Sequence, residues 1–406
     1  MATNRILAAF AIAASSVLAM SPAQALADKV TLNDGRVLEG EITREVRGMV
    51  WIEVTQGTIT TEMTIAPDQI KSIEYIEGDK VEEEIEPETE LVIPPGATKV
   101  AFITLEEMVG PYLNADALMR SAEYLDELPT EIRPDVLVLR VNSGGGALLE
   151  VEPLMDTIQD EIKPMFRTVG WIESAISAAS LTIFNCEEIY MTKEGNVGGT
   201  VAYSMQSGGA KAMDGEGLEF VLEMGEQISA NGGYDPLIMR AMQIFTTLTA
   251  TPDGNGGWIF FEGDEGEVMV SPEDRILTFN AIDSERFNVS LGTADTKDEL
   301  AKLMGLTEWV EVGQKADEMM VEFRESVKEG QARGGELWSK MNIYIEAGQI
   351  NKAKRFLREL KSIARRAPSL AKYGAGPLPP LTDDFFRNVE QQLDDMARQQ
   401  RRGRGG

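Results

Sequence analysis

The residues able to do chemistry in this chain lie in one strand–turn–helix passage. An apolar strand, VLVLRVNS, runs into Gly144-Gly145-Gly146 within residues 136–158, and a second strand in 168–192 leads to a helical run of small residues around Ser177. Three glycines remove every Cβ from the turn, so backbone N–H groups can approach a ligand closely. N–H groups beside a helix start suit an oxygen that gains negative charge as a carbonyl is attacked. A serine on the second helix supplies a nucleophile. The combination reads as a hydrolase of the serine type.

Composition narrows the mechanism. The 406 residues include no histidine, which excludes a Ser-His-Asp triad and any His-bearing zinc site. The base for an activated serine is then a lysine, a carboxylate or nothing, and a Ser-Lys dyad is the recognised substitute. Such a lysine works where a dry pocket lowers its pKa. Lys211, in SMQSGGAKAMDG (204–215), sits in a Gly/Ser/Ala loop that could fold over the pocket and desolvate it. A solvated surface lysine is the competing reading. Lys193, in MTKEGNV, reads as a turn residue at a strand end, and Glu219 is an unusual third choice. No metal or organic cofactor is implied.

Residues 1–27 have the form of a secretory signal: Arg5, an apolar stretch over 6–20, and Ala25-Leu26-Ala27 as a small-x-small cleavage site. The apolar run is short of the ~20 residues that span a bilayer. The mature protein is expected to be exported and soluble, with peripheral membrane attachment left open. The net charge of −29, from 67 acidic and 38 basic residues, disfavours nucleic acid, which needs clustered cations. The basic cluster RQQRRGRGG (398–406) reads as a disordered tail. Cys186 is the sole cysteine, expected to be a buried, unreactive thiol in an apolar helix.

Residues 28–78 alternate apolar and polar positions between turn signals, Asn33-Asp34-Gly35 first among them, which predicts five short strands in a small all-β barrel. The acidic, proline-bearing segment 79–97 reads as an extended linker. Strands and helices alternate over 98–312, the signature of an α/β domain. Within it, the turn-rich stretch 249–279 suggests a β-hairpin excursion. Residues 313–406 form a helical extension, with periodic segments at 316–327, 337–367 and 383–400 separated by polar breaks.

The glycine turn after VLVLRVNS, the serine on a small-residue helix and the following EEIYMTKEGNVGGTVAY resemble the fold shared by the Clp protease proteolytic subunit and crotonase. Signal peptide peptidase A and the NfeD-type serine proteases are nearest in pattern. Their Ser/Thr-Pro-Gly-Gly turn is matched by Ser143-Gly144-Gly145-Gly146, their Ser-small-Gly helix start by Ser177-Ala178-Ala179, and an Asn-x-Gly turn by Asn196-Val197-Gly198. RILTFNAIDSERFNVSLGTAD (275–295) resembles the end of the family's domain. The resemblance implies a core of repeated ββα units over about 98–312, with Ser177 as nucleophile. It places the oxyanion hole on the N–H groups of Gly145 or Gly146 and of Ala178. It also implies an extended polypeptide as substrate and a homo-oligomeric assembly. Ser174 and Ser180, at three-residue spacing from Ser177, could share its helical face.

Ala179 replaces the family's glycine, and Glu219 or Phe220 stands where the family's lysine is expected. Serines among alanines also serve as plain packing residues. Two classes of function follow: an exported Ser-Lys peptidase, or a catalytically silent relative that binds extended peptides or acts as a scaffold. An acyl-CoA enzyme of the crotonase type is a third reading, set back by export and by the lack of a clamp for nucleotide phosphates.

Overall fold

Strand residues that alternate between two apolar faces explain the centre of this molecule. The computed structural model describes residues 28–33, 35–46, 49–56, 59–65, 69–74, 93–206 and 209–403. The chain divides into two units, Met1–Val92 and Ile93–Gly406. In the first, β1 (Asp28–Leu32), β2 (Val37–Val46), β3 (Met49–Gln56), β4 (Ile59–Ile65) and β5 (Ile70–Glu74) pair antiparallel in the order β4-β3-β2-β1-β5. Val30, Leu32, Val50, Ile52 and Ile65 are buried together, the one-face pattern of period two. The five expected strands are present and paired in one order, and no ladder joins β4 to β5 among the described residues. The signal segment 1–27 and most of the acidic linker lie outside the described residues.

The second unit is an α/β domain with a helical extension, as expected. It opens with β6 (Thr98–Glu106), α1 (Ala115–Asp126) and β7 (Val136–Ser143), then a helical stretch holding α2 (Val151–Asp156) and α3 (Lys163–Met165). β8 (Arg167–Ile176), α4 (Ala178–Ile183) and β9 (Glu188–Gly198) follow. Strands β6 to β9 pair in parallel. Even-numbered Val100, Phe102, Val136 and Val138 join one buried cluster, while Ala101, Ile103, Leu137 and Leu139 join the other. Both faces of the sheet are therefore covered, which is why its strands read as continuous apolar runs. The ladders of β8 shift register at Glu173: Val141 faces Ile172 while Asn142 faces Ser174, and on the other side Ile172 faces Met191 while Ser174 faces Asn196.

Beyond β9 come the hairpin β10 (Tyr203–Gln206) and β11 (Gly209–Ala212), then α5 (Gly215–Asn231) and α6 (Pro236–Gln243). The expected hairpin excursion is a three-stranded sheet of β12 (Leu248–Pro252), β13 (Trp258–Glu262) and β14 (Val268–Ser271). β15 (Thr278–Asn280), α7 (Ala281–Arg286), α8 (Lys297–Leu303) and β16 (Trp309–Glu311) complete the domain, and β15 and β16 edge the six-stranded sheet. Cys186 is buried but lies in the turn after α4 rather than in a helix. Burial pushes its thiol up to about 12, which keeps it protonated and inert.

The extension comprises α9 (Lys315–Glu346), α10 (Ile350–Arg366), α11 (Pro368–Tyr373) and α12 (Asp383–Gly403). The polar break expected after residue 327 is instead continuous helix. Gly330 and Gly334 let α9 approach the segment that follows it: a Cβ at these sites would lie 3.0 Å from Leu370 Cδ1 and 2.7 Å from Leu378 Cδ2. The basic tail expected to be disordered is helical through Gly403; its amphipathic helix buries Phe386 and Leu393 against the extension's own core.

One edge of β6 shows how the extension is fixed. Strand β16 covers only Thr98 to Val100. Further along, the Thr104 N–H donates to Asp317 Oδ1 at 2.7 Å, and Arg324 donates to the Thr104 carbonyl at 2.8 Å. Side chains of α9 thus satisfy the edge that a longer strand would have paired. Arg324 is only 5% exposed, so Arg324→Met strands a buried carbonyl and should cost ~1–3 kcal/mol. A lowered urea midpoint checks it, with Arg333→Met on the exposed face moving stability by less than ~0.5 kcal/mol.

Candidate active site

The turns at the carboxyl ends of β6, β7 and β8 meet in one place, where parallel α/β sheets bind ligands. Pairing of Asn142 with Ser174 and of Ser143 with Ala175 brings the glycine turn beside Ser177. Gly145 has φ +91°, and a Cβ there would lie 2.5 Å from Ser177 Cβ and 2.6 Å from the Ile176 carbonyl. A Cβ at Gly146 would lie 2.2 Å from the Val109 carbonyl. Only glycine permits both contacts. Gly144, by contrast, faces open space.

The turn is held by its own hydrogen bonds. The Ser143 hydroxyl donates to the Glu107 carbonyl at 2.5 Å and accepts the Gly145 N–H at 3.2 Å. Val109 N–H donates to the Gly145 carbonyl, and Ala147 N–H donates to the Val109 carbonyl. The N–H of Gly145 is therefore occupied. That of Gly146 makes no backbone hydrogen bond among the described residues. Of the two glycines considered from sequence, Gly146 is the one with a donor to offer.

Ser177 is the N-cap of α4 and adopts φ 59°, ψ −127°, a conformation of type II′ turns in which glycine dominates. Its N–H donates to the Gly198 carbonyl at 3.0 Å, and its carbonyl accepts from Ser180 and Leu181. The hydroxyl makes no capping bond to the helix it begins. Ala178 N–H opens that helix, where no carbonyl one turn back exists to accept it. Its nitrogen lies 3.0 Å from the space a Gly145 Cβ would fill.

Ser177, Ala178 and Gly146 line one cleft of about 430 Å³. The rest of its wall is apolar or hydroxylic: Met108, Val109, Pro111, Leu148, Leu181, Thr200, Val201, Ala202, Tyr203 and Tyr373 among them. Among the described residues no charged side chain lines it. Sequence reasoning missed the Met108–Val109 loop and Tyr373, which only the folded topology brings near Ser177.

The expected base is not in this cleft. Lys211 stands on β11 opposite Ser204, its side chain 58% exposed and its Nζ 2.8 Å from Asp214 Oδ2. The expected desolvation is absent, because a hairpin projecting into solvent keeps the ammonium hydrated and paired. The hairpin's root does touch the cleft, through Ala202 and Tyr203. Lys193 pairs with Asp295 at 2.8 Å, and the hydrogen bond it donates to that carboxylate raises its pKa. Glu219 is exposed on α5. Ser174 belongs to β8, not to the helix, and its hydroxyl donates to Asn196 Oδ1 at 3.1 Å. Ser180 is buried in α4, facing Met242.

Two pairs of substitutions test this geometry. Gly145→Ala should destabilise the fold by ~1–3 kcal/mol or more and so lower the melting temperature markedly, whereas Gly144→Ala should leave it nearly unchanged; thermal melts of the two decide. Ser177→Gly should melt above Ser177→Ala, because glycine releases the backbone strain and alanine keeps it, a difference of ~1 kcal/mol.

No protein-family model matches the chain, and no curated protein matches it. Solved structures do superpose on part of it. A substituted form of the 1510-N membrane-bound stomatin-specific protease covers 51% of this chain and 84% of its own, at 11% identity and a TM-score of 0.37. The 1510-N membrane protease of Pyrococcus horikoshii, specific for a stomatin homolog, covers 50% and 78%, at 11% identity and a TM-score of 0.34. ClpP1 from Listeria monocytogenes covers 49% and 94%, at 13% identity and a TM-score of 0.32. The site described above stands on this chain's own geometry.

Proposed function

We propose that this chain is an exported serine peptidase of the Clp and signal-peptide-peptidase-like type, acting on extended polypeptide. Ser177 Oγ attacks the scissile carbonyl, and the N–H groups of Gly146 and Ala178 receive the oxyanion. Gly145 contributes the close approach rather than a donor. One observation carries the reading: a strained serine whose hydroxyl makes no capping bond shares a cleft with two backbone N–H groups that have no backbone acceptor among the described residues. Donors fixed before reaction cost no reorganisation as charge develops, and one is typically worth ~3 kcal/mol. The proton is taken by Lys211, which must leave Asp214, swing inward with the hairpin rooted on the cleft wall and give its own ammonium proton to water on desolvation before it can accept that of Ser177.

The second reading, a catalytically silent relative that binds extended peptides in the same cleft, is favoured by the hydrated, Asp214-paired state of Lys211. A fluorophosphonate probe separates the two. It should label Ser177, and Ser177→Ala should abolish labelling. Lys211→Ala should slow it by a factor of ~10² or more. Labelling that survives Ser177→Ala would remove the nucleophile. Full reactivity of Lys211→Ala would remove the base alone. Absence of any labelling would leave the peptide-binding reading.

A further inference from the structure

The Ser177 cleft has a wall residue that comes from far along the chain. Tyr373 ends α11, in the helical extension, and lines the cleft near Met108, Pro111 and Leu148. Its ring packs on the loop that carries Met108. A Cβ at Gly110, which has φ +103°, would lie 3.0 Å from Tyr373 Cγ and 3.1 Å from Cδ1. The neighbouring Lys372 ammonium stands 3.1 Å from Glu150 Oε2 and 4.8 Å from the Tyr373 ring centroid. Glu150 is itself buried, 3% exposed, and accepts the Ala115 N–H at 2.8 Å. It follows Gly146 closely in sequence, so this contact ties the extension to the turn that offers the N–H group. The Tyr373 hydroxyl is buried and has no hydrogen-bond partner among the described residues. The ring, not its oxygen, is what the fold holds in place.

We propose that the C-terminal extension is part of the substrate cleft and that Tyr373 limits the size of the side chain the cleft admits. This rests on the reading of the Ser177 cleft as a polypeptide site. With no charged side chain in the wall among the described residues, a charged occupant would lose its hydration without a partner there. An apolar side chain fits, and the ring of Tyr373 stands where a bulkier one would extend.

Three fluorescein-labelled heptapeptides, identical except for a central Ala, Leu or Phe, test this by fluorescence anisotropy. They are titrated onto the full chain carrying Ser177→Ala, so that none is cleaved. Adding Tyr373→Ala should strengthen the Phe peptide relative to the Ala peptide by ~10-fold or more, while Tyr373→Phe leaves the ratio within ~2-fold. If Tyr373→Ala fails to fold, Tyr373→Leu should move the ratio the same way by ~3-fold. An unchanged ratio in a variant that melts normally overturns the proposal, and so does failure of every peptide to bind. Fluorophosphonate labelling keeps the two readings apart. A labelled Ser177 with an unmoved ratio removes only the role of Tyr373; a shifted ratio in a chain that never labels removes only the peptidase.

Discussion

The contact between Gly145 and Ser177 is the constraint on which the site depends. β7 and β8 are parallel neighbours, so the turns at their carboxyl ends must lie side by side. What they bring together is decided by the missing Cβ. With any other residue at 145, its Cβ would stand 2.5 Å from that of Ser177, and the glycine turn would have to move away from α4. The same logic holds at Gly146 against Val109, where the backbone bridge joins the first of the three loops to the second. Two glycines therefore weld three strand ends into one cleft, and the free N–H groups of Gly146 and Ala178 follow from that assembly.

Comparison within α4 separates a packing serine from a poised one. Thr182 returns its hydroxyl to the Ala178 carbonyl at 2.9 Å, and Ser180 is fully buried against Met242. Both behave as small polar residues that fit a tight helix. Ser177 does neither, although an N-cap serine ordinarily bonds back to its helix. It holds a glycine-type conformation while forgoing the one interaction that its position offers. A conformation costing ~1–3 kcal/mol persists only where its surroundings over-determine it. Here the Gly198 carbonyl behind, the Gly145 backbone in front and the start of α4 supply that determination.

Much of this was legible in the sequence, because the relevant signals are local. The glycine run, the small-residue helix start and the strand periodicity each follow from neighbouring residues, and the family resemblance they carry pointed to Ser177, to Gly145 or Gly146, and to Ala178. What failed was everything set by tertiary contact. The Gly145 N–H was lost to Ser143, a partner two residues away whose hydroxyl could have pointed elsewhere. Lys211 could not be seen to pair with Asp214, since burial of a loop is decided by what packs over it. The polar stretch after residue 327 read as a break, yet it is helix, and its Gly330 and Gly334 serve close packing against Leu370 and Leu378. The basic tail read as disorder, yet its amphipathic helix finds a core in the extension. Tyr373 carries no sequence signal at all, being far from Ser177 in the chain.

The extension is attached at several points, and two of them bear directly on the cleft. Asp317 and Arg324 satisfy the main chain of β6 at Thr104, just before the strand turns into the Met108–Val109 loop. Lys372 engages Glu150, just after the glycine turn. Both of these attachments brace segments that lead into or out of the cleft. A helical appendage serving only assembly could dock anywhere on the domain. One that grips both flanking loops and sets an aromatic ring between them restrains the backbone on both sides of the glycine turn. Ser177 and the N–H groups of Gly146 and Ala178 are thus held by a sheet on one side and a helical brace on the other. Lys211, on its hairpin, is tied instead to Asp214.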